Sequence, residues 1–290
     1  VDYLSKRRYP LYMLIPGVLL LTVFFILPSI QMLAYSFTYW DIFTTRWAGV
    51  ENFKNLFVDG GLIYSIKNTF TFAFITTFFK VINGLVLAIF LNQKLRTRNY
   101  LRTVFFMPAI LNTVAVGLIF SAIFHPITGL LNESLRFIGL DFLVREWLTD
   151  PSIAIYSVSF VEIWQWTGFN MVILLAGLQT IDKQYYEAAD IDGASEFMKF
   201  KHITLPLIMP ALNNAIVVSL IGGLKVFGII QATTGGGPGR STEVFATLIY
   251  RSFASGRYGE ACAATLIQSI IIAIISLSVH SYLRKKEIEL

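Results

Sequence analysis

The chain has 290 residues, 55% of them hydrophobic and only 14% charged, with a mean hydropathy of +0.64. Soluble domains average about 45–50% apolar and about 25% charged, so an ordinary soluble domain is excluded and lipid is indicated as the solvent. A net charge of +5 would also suit a nucleic-acid binder, but the basic residues sit in short clusters between apolar runs, as in the cytoplasmic loops of membrane proteins.

The N-terminus reads Lys6-Arg7-Arg8 and then runs apolar from about Leu11 to Ile30. A secretory signal has an apolar region of only about 7–15 residues and a small-residue cleavage site. This run is longer and has no A-x-A, so it predicts a first membrane span. About 20 mostly apolar residues make a spanning helix, and six segments qualify, near residues 11–37, 65–92, 104–124, 152–179, 207–230 and 261–283. The predicted fold is therefore all-α, a polytopic membrane protein forming one transmembrane domain over residues 1–290. The third span is short and opens on Phe105-Phe106-Met107-Pro108, and the fourth carries Glu162, Gln165 and Asn170. Pro16, Pro28, Pro108 and Pro210 fall near span ends or first turns, where a missing N–H matters least. Cys262, the single cysteine, lies in an apolar run and reads as a small buried hydrophobe, with no disulfide partner and no metal-ligand spacing.

With the N-terminus inside, the cytoplasmic pieces are 1–10, 93–103, 180–206 and 284–290, which together hold over half of the 23 lysines and arginines. Lys94, Arg96, Arg98, Arg102, Arg284, Lys285 and Lys286 dominate that bias, which predicts both termini in the cytoplasm. Tyr39, Trp40, Trp47 and Trp147 then fall near outer boundaries, as an aromatic belt does. Two outer stretches exceed simple turns. Residues 125–151 contain the helix-like run Leu130 to Leu135, and residues 231–260 contain Gly235-Gly236-Gly237-Pro238-Gly239.

The cytoplasmic stretch from Ile181 to Pro206 reads IDKQYYEAADIDGASEFMKFKHITLP. Asp182 suits an N-cap, with acidic Glu187 early in the helix that follows. Tyr186, Ala189 and Gly193 share one face, with Tyr185 and Ala188 beside them. Gly193 suits the left-handed position that ends a helix, Ser195 the cap of a second short helix ending near His202, and Pro206 the first turn of the fifth span. The expectation is a compact helix–turn–helix whose small residues let another protein approach closely.

Glu187-Ala188-Ala189, Asp192-Gly193, Ile203, Leu205 and Pro206 match, in residue and spacing, the EAA motif of ABC importer permeases, and the chain resembles that family. YEAADIDGA followed by ITLP is similar to the carbohydrate branch related to the maltose-transporter permeases. So are Phe105-Phe106-Met107-Pro108, Ala176-Gly177-Leu178-Gln179, and Gly236-Gly237-Pro238 with Thr242. The resemblance covers nearly the whole chain. It implies that residues 181–206 form a coupling helix docked in a groove of a cytoplasmic ATPase dimer. It further implies a second homologous permease, an extracytoplasmic solute-binding protein, a sugar substrate of di- or oligosaccharide size, and a place in the bacterial plasma membrane. ATP and magnesium then belong to the partner ATPase, and this chain carries no cofactor and no catalytic site of its own. Gly235, Gly236, Gly237, Pro238 and Thr242 become candidates for contact with the binding protein.

Three ionisable residues lie within expected spans: Lys80, Glu162 and Lys225. A charge at mid-bilayer costs at least about 2.5–3.5 kcal/mol on insertion scales, so each is expected to face protein or water. Lys80 and Glu162 lie at similar depth, roughly 15–18 Å from the outer ends of their spans, and a pair between them is feasible. Lys225 lies nearer an outer end, where it either snorkels or faces the cavity. Glu162, Trp164, Trp166 and Asn170 suit a sugar path, because aromatic faces cover C–H patches while amides and carboxylates bond hydroxyls. For each of these residues taken singly, the favoured reading is packing or lipid contact for the aromatics and simple pairing for the charges. Gly222-Gly223 marks either a helix break or a close helix contact. GGGPGRS superficially suggests a phosphate loop, but it is one residue short, has Arg240 for the lysine and follows a span instead of a strand. Nucleotide binding by this chain is therefore not expected.

A permease for a non-sugar solute remains an alternative. An ion-coupled secondary transporter would need a relay of ionisable residues and often an inverted repeat, neither of which is evident. An intramembrane enzyme is disfavoured because His125, His202 and His280 are far apart and no H-E-x-x-H or G-x-S-x-G occurs.

Overall fold

The structure, a computed structural model, describes residues 11–41, 43–93 and 95–285. Lys6, Arg7, Arg8, Lys94 and Lys286, which weigh in the orientation argument, lie outside these residues. After a 3-10 turn at Leu11–Leu14 comes helix α1 (Ile15–Tyr35), then an antiparallel ribbon of β1 (Thr38–Trp40) and β2 (Thr45–Trp47), then α2 (Glu51–Val58). Helices α3 (Gly61–Asn92), α4 (Arg98–Ile110), α5 (Thr113–Ile123), α6 (Leu130–Phe137) and α7 (Ala154–Gln179) follow. The chain continues through α8 (Lys183–Ile191), α9 (Glu196–Leu207), α10 (Met209–Leu224), α11 (Gly228–Thr233), α12 (Phe245–Ala254) and α13 (Tyr258–Arg284).

Among the described residues, helices α1, α3, α7 and α13 are each long and apolar enough to cross a membrane, and the number rises to six where each of two bent pairs, α4 with α5 and α9 with α10, counts as one span. The all-α expectation holds, with the short ribbon as an addition. Two expected spans need correction. The third is not one helix over 104–124: α4 and α5 meet at 93° around Leu111 and Asn112. Pro108 has already removed one backbone donor, and Asn112 starts a new helix by accepting from Val114 N at 2.9 Å and Ala115 N at 3.3 Å. The Leu111 carbonyl at the break accepts from Gln165 Nε2 at 3.0 Å, so this acceptor is met from α7. The fifth span is not 207–230. The chain bends by 68° between α9 and α10, with Pro206 in α9, and α10 ends at Leu224 before the separate helix α11.

Pro28 and Pro206 each follow a π turn, at Thr22–Ile26 and Phe200–Thr204. A proline ring crowds the carbonyl four residues back, and widening the turn relieves that clash.

The described residues form two compact units. One comprises the residues up to Asp59 together with Ile249–Ile267. In it α1 buries no residue, and its Leu, Val, Ile and Phe side chains are exposed, as befits a helix facing lipid or another chain. Trp40 of the ribbon stacks on Tyr35 at 4.4 Å, and buried Asn52 donates to the Ser36 and Thr38 carbonyls at 2.9 Å each. The expected belt residues Tyr39, Trp40 and Trp47 thus lie on the ribbon.

The other unit comprises Gly60–Leu248 and the residues from Gln268. Helices α3, α7 and α10 form its centre. One apolar cluster gathers Phe72, Val116, Val158 and Ile229, and a second gathers Leu91, Met171, Leu174 and Ile208. Lipid is as apolar as these side chains, so close fit and hydrogen bonds hold such helices together more than expulsion from water does. Within residues 125–151, the short helix α6 is tied by Asn132, whose amide donates to the Pro126 and Arg145 carbonyls and accepts from Trp147 Nε1 at 2.8 Å.

At Gly168, α4 crosses close over α7. A Cβ added at Gly168 would overlap the Phe105 carbonyl. Gly168→Ala is therefore expected to cost about 1–3 kcal/mol, read as a lower unfolding midpoint of the detergent-solubilised chain. An unchanged midpoint would contradict this crossing.

Candidate functional site

A cavity of about 430 Å³ lies among α3, α7, α10 and the turn into α11. Lys80 enters from α3, while Glu162, Trp166, Phe169 and Asn170 enter at helical spacing from α7, followed by Val218, Ser219 and Gly222 from α10. Lys80 Nζ stands 3.3 Å from Glu162 Oε1, with the two side chains 3% and 8% exposed. The pair foreseen from their similar depth is thus present and buried. Asn170 donates to the Trp166 carbonyl at 3.2 Å and accepts from Ser219 Oγ at 2.9 Å, which joins α7 to α10. Trp166 meets Phe169 edge-on at 6.0 Å. A wall carrying an ion pair and an amide beside aromatic rings can bond hydroxyls and cover C–H faces together.

Of the six path candidates, Lys80, Glu162, Trp166 and Asn170 line this cavity and two do not. Trp164 is 41% exposed and packs on Phe120 at 5.2 Å, because it points to another side of α7. Lys225 is exposed at the end of α10, its N–H bonded back to Ile221 O at 3.1 Å, and its side chain is not in the lining. Gly223 answers both readings of the glycine pair. A Cβ there would stand 2.8 Å from Ala73 Cα, and the helix stops one residue later. Thr113, Phe169, Ser219 and Phe227 also line the cavity and were not singled out from sequence. The signal for Thr113 was Pro108 followed by Leu-Asn-Thr, a stop and a new cap. Ser219 was a lone hydroxyl, and nothing local marked it.

The segment between α7 and α10 is a helix–turn–helix as expected, but its second helix, expected to end near His202, runs on to Leu207. Asp182 Oδ1 accepts from Gln184 N at 3.0 Å and caps α8. The helix ends in a Schellman turn: Gly193 has φ +73, its N–H reaches Asp190 O at 3.1 Å, and Ala194 N–H reaches Ala189 O at 2.9 Å. Ser195 Oγ accepts from Met198 N at 3.4 Å at the start of α9. Lys199 bonds Asp190 Oδ1 at 2.7 Å and also pairs with Glu196, and these bonds hold its ammonium above the usual lysine range. Tyr186 OH meets Thr204 Oγ1 at 3.0 Å, bracing α8 on α9. Glu187, Ala188, Asp192 and Gly193 are exposed, Ala189, Ile203, Leu205 and Pro206 half-buried. Ile191 at 88% and Phe197 at 71% exposure leave a large apolar surface on this turn.

The glycine-rich stretch is a built loop. Thr242, fully buried, donates to the Gly237 carbonyl at 2.7 Å, and Asn68 donates to the Arg240 and Glu243 carbonyls at 2.9 and 3.0 Å. Among the contact candidates, Gly235 is exposed, Gly237 and Pro238 are half-buried, and Gly236 and Thr242 are buried. Thr242 holds the loop from within, so the outward surface belongs to Gly235, Gly237 and Pro238.

The family model described as binding-protein-dependent transport system inner membrane component matches residues 80–286. The chain is 36% identical to the probable ABC transporter permease protein YurN of Bacillus subtilis (strain 168), over 94% of this chain and 95% of that one. It is 35% identical to the multiple sugar-binding transport system permease protein MsmF of Streptococcus mutans, over 91% of each. Among solved structures it is similar to a chain of a bacterial alginate ABC transporter in complex with an alginate pentasaccharide-bound periplasmic protein. That match has a TM-score of 0.83 at 27% identity and covers 96% of this chain and 95% of that one.

Proposed function

The chain belongs to the family of binding-protein-dependent transport system inner membrane components, and from that premise we propose that it is one permease subunit of an ATP-driven sugar importer. The observation that carries this reading is the cavity among α3, α7 and α10, where a buried ion pair, an amide and two aromatic rings converge inside helices long enough to cross a membrane. Sugar as the substrate class also draws support from relatives with sugar permease names and from the alginate transporter.

In this proposal residues 1–290 act as one permease domain. It pairs with a second permease to complete the path, and α8 with the turn at Gly193 docks on an ATPase dimer that holds ATP and magnesium. A solute-binding protein delivers sugar at the opposite face, next to Gly235 and Pro238. Both termini lie in the cytoplasm, since the excess of Lys and Arg falls on that side. ATP moves the spans only by binding one of their arrangements more tightly than the other.

The test is isolation of the chain from solubilised native membranes with identification of the subunits that accompany it. A second permease and an ATPase are expected. Recovery of the chain alone in several mild detergents would turn the assignment toward an ion-coupled transporter.

A further inference from the structure

Among the described residues, Lys80 and Glu162 are the only charged side chains on the cavity wall, and their contact at 3.3 Å makes the wall neutral overall. Lys225, at the end of α10, is exposed and outside the lining. The remaining polar groups divide into donors and acceptors. Gln165, fully buried, spends both amide hydrogens at the bend, on the Leu111 carbonyl at 3.0 Å and on Thr113 Oγ1 at 3.3 Å. The Leu111 carbonyl can only accept, which fixes the orientation of the amide. Thr113 is thus the acceptor toward Gln165. Its own hydrogen, with no acceptor among the described residues, is left for the cavity that it lines. Asn170 gives one amide hydrogen to the Trp166 carbonyl and keeps the other. Ser219 spends its hydrogen on Asn170 Oδ1, so its oxygen remains an acceptor. Glu162 meets Lys80 through Oε1, which leaves Oε2 to accept and the rest of the ammonium to donate.

A ligand suited to this wall offers donors and acceptors side by side and brings no charge. A hydroxyl does both, and a saccharide carries several of them beside C–H faces that Trp166 and Phe169 cover. A carboxylate only accepts. To reach Lys80 it must draw the lysine away from Glu162, and it then stands beside a second carboxylate in a buried place, where like charges repel most strongly. An ammonium group meets the mirror problem at Glu162.

We propose that the cavity selects an uncharged saccharide over an acidic one, with Thr113 donating to a sugar hydroxyl beside the Lys80–Glu162 pair. The inference rests on the sugar-importer reading and narrows its substrate class. The pair supplies strong donors and acceptors for hydroxyls, and because its charges cancel it does so without attracting an ion.

The test uses the purified complex with its partner permease and ATPase in nanodiscs, without the binding protein, so that the membrane site alone selects. It is dialysed to equilibrium against a mixture of neutral di- and trisaccharides of glucose, galactose, mannose and xylose and acidic ones of galacturonate and mannuronate. Mass spectrometry counts the sugars bound. The wild type is expected to bind one or more neutral sugars at least tenfold more than any acidic one. Glu162→Gln leaves the Lys80 cation unpaired at the wall and is expected to raise the ratio of acidic to neutral sugar roughly tenfold. Thr113→Val deletes the hydroxyl and no charge, so neutral binding should fall severalfold while that ratio stays low. This variant decides the matter where Glu162→Gln does not assemble. Binding of acidic sugars by the wild type as strongly as neutral ones overturns the proposal. So does an unmoved ratio in Glu162→Gln or undiminished neutral binding in Thr113→Val. Failure of the sugar-importer reading shows separately, as a complex that carries no ATPase or binds no sugar of either class, and it takes this inference with it.

Discussion

Lys80→Met is expected to destabilise the protein by about 3–5 kcal/mol, because it leaves the buried Glu162 carboxylate without its cation. The desolvation of both groups is offset in the wild type by their contact at 3.3 Å. Removing one partner keeps the burial of the other and loses the offset. The double variant Lys80→Met/Glu162→Gln removes both charges at similar volume, and a neutral pair in this position is tolerated. Its unfolding midpoint in detergent should return close to that of the wild type. Uptake then separates two roles. If the pair only stabilises the bundle, the double variant transports. If the charges bond sugar hydroxyls, as their place on the cavity wall favours, the double variant is stable and transports poorly. A single Lys80→Met variant as stable as the wild type would show that the carboxylate finds another partner, and the ion-pair argument would fail.

This pair also shows what the sequence discloses. Two ionisable residues in separate apolar runs at equal depth are legible from spacing alone, because the membrane makes an unpaired charge expensive. The helix–turn–helix between α7 and α10 was equally legible, since capping and left-handed glycine obey local rules: Asp182, Gly193 and Ser195 each do what their types prefer. The bends were not. A hydropathy window passes over Leu111 and Asn112 because composition stays apolar across them, yet the backbone turns by 93°. Thr113 came to the cavity through that turn, and Ser219 through contact with Asn170 on another helix. Trp164 and Lys225 lie outside the cavity lining for the same reason: depth is readable from sequence, but the side of the helix that faces the cavity is set by packing partners.

Gly193→Asp should abolish most ATP-driven uptake while the spans remain inserted and folded. At φ +73 an L residue is strained, by about 1–2 kcal/mol, and less for Asp because its short polar side chain is tolerated in this region. A Cβ at this position meets nothing within 4 Å, so the substitution causes no clash inside the chain. Its effect must arise outside, at the surface that Ile191 and Phe197 leave apolar and exposed. A new carboxylate there joins Asp190 and Asp192 and loses water when a partner packs against the turn. Like charges or an unpaired charge at a packed interface cost several kcal/mol, which corresponds to a drop in uptake of roughly tenfold or more. Gly193→Ala carries the backbone strain without the charge, so it should fall between the two. Membrane insertion, the unfolding midpoint, co-purification of the ATPase and sugar uptake are measured together. Wild-type ATPase association with wild-type uptake in Gly193→Asp would remove the turn from the coupling surface. Loss of the midpoint along with uptake would place its role in folding, because a docking surface can fail without the bundle that carries it.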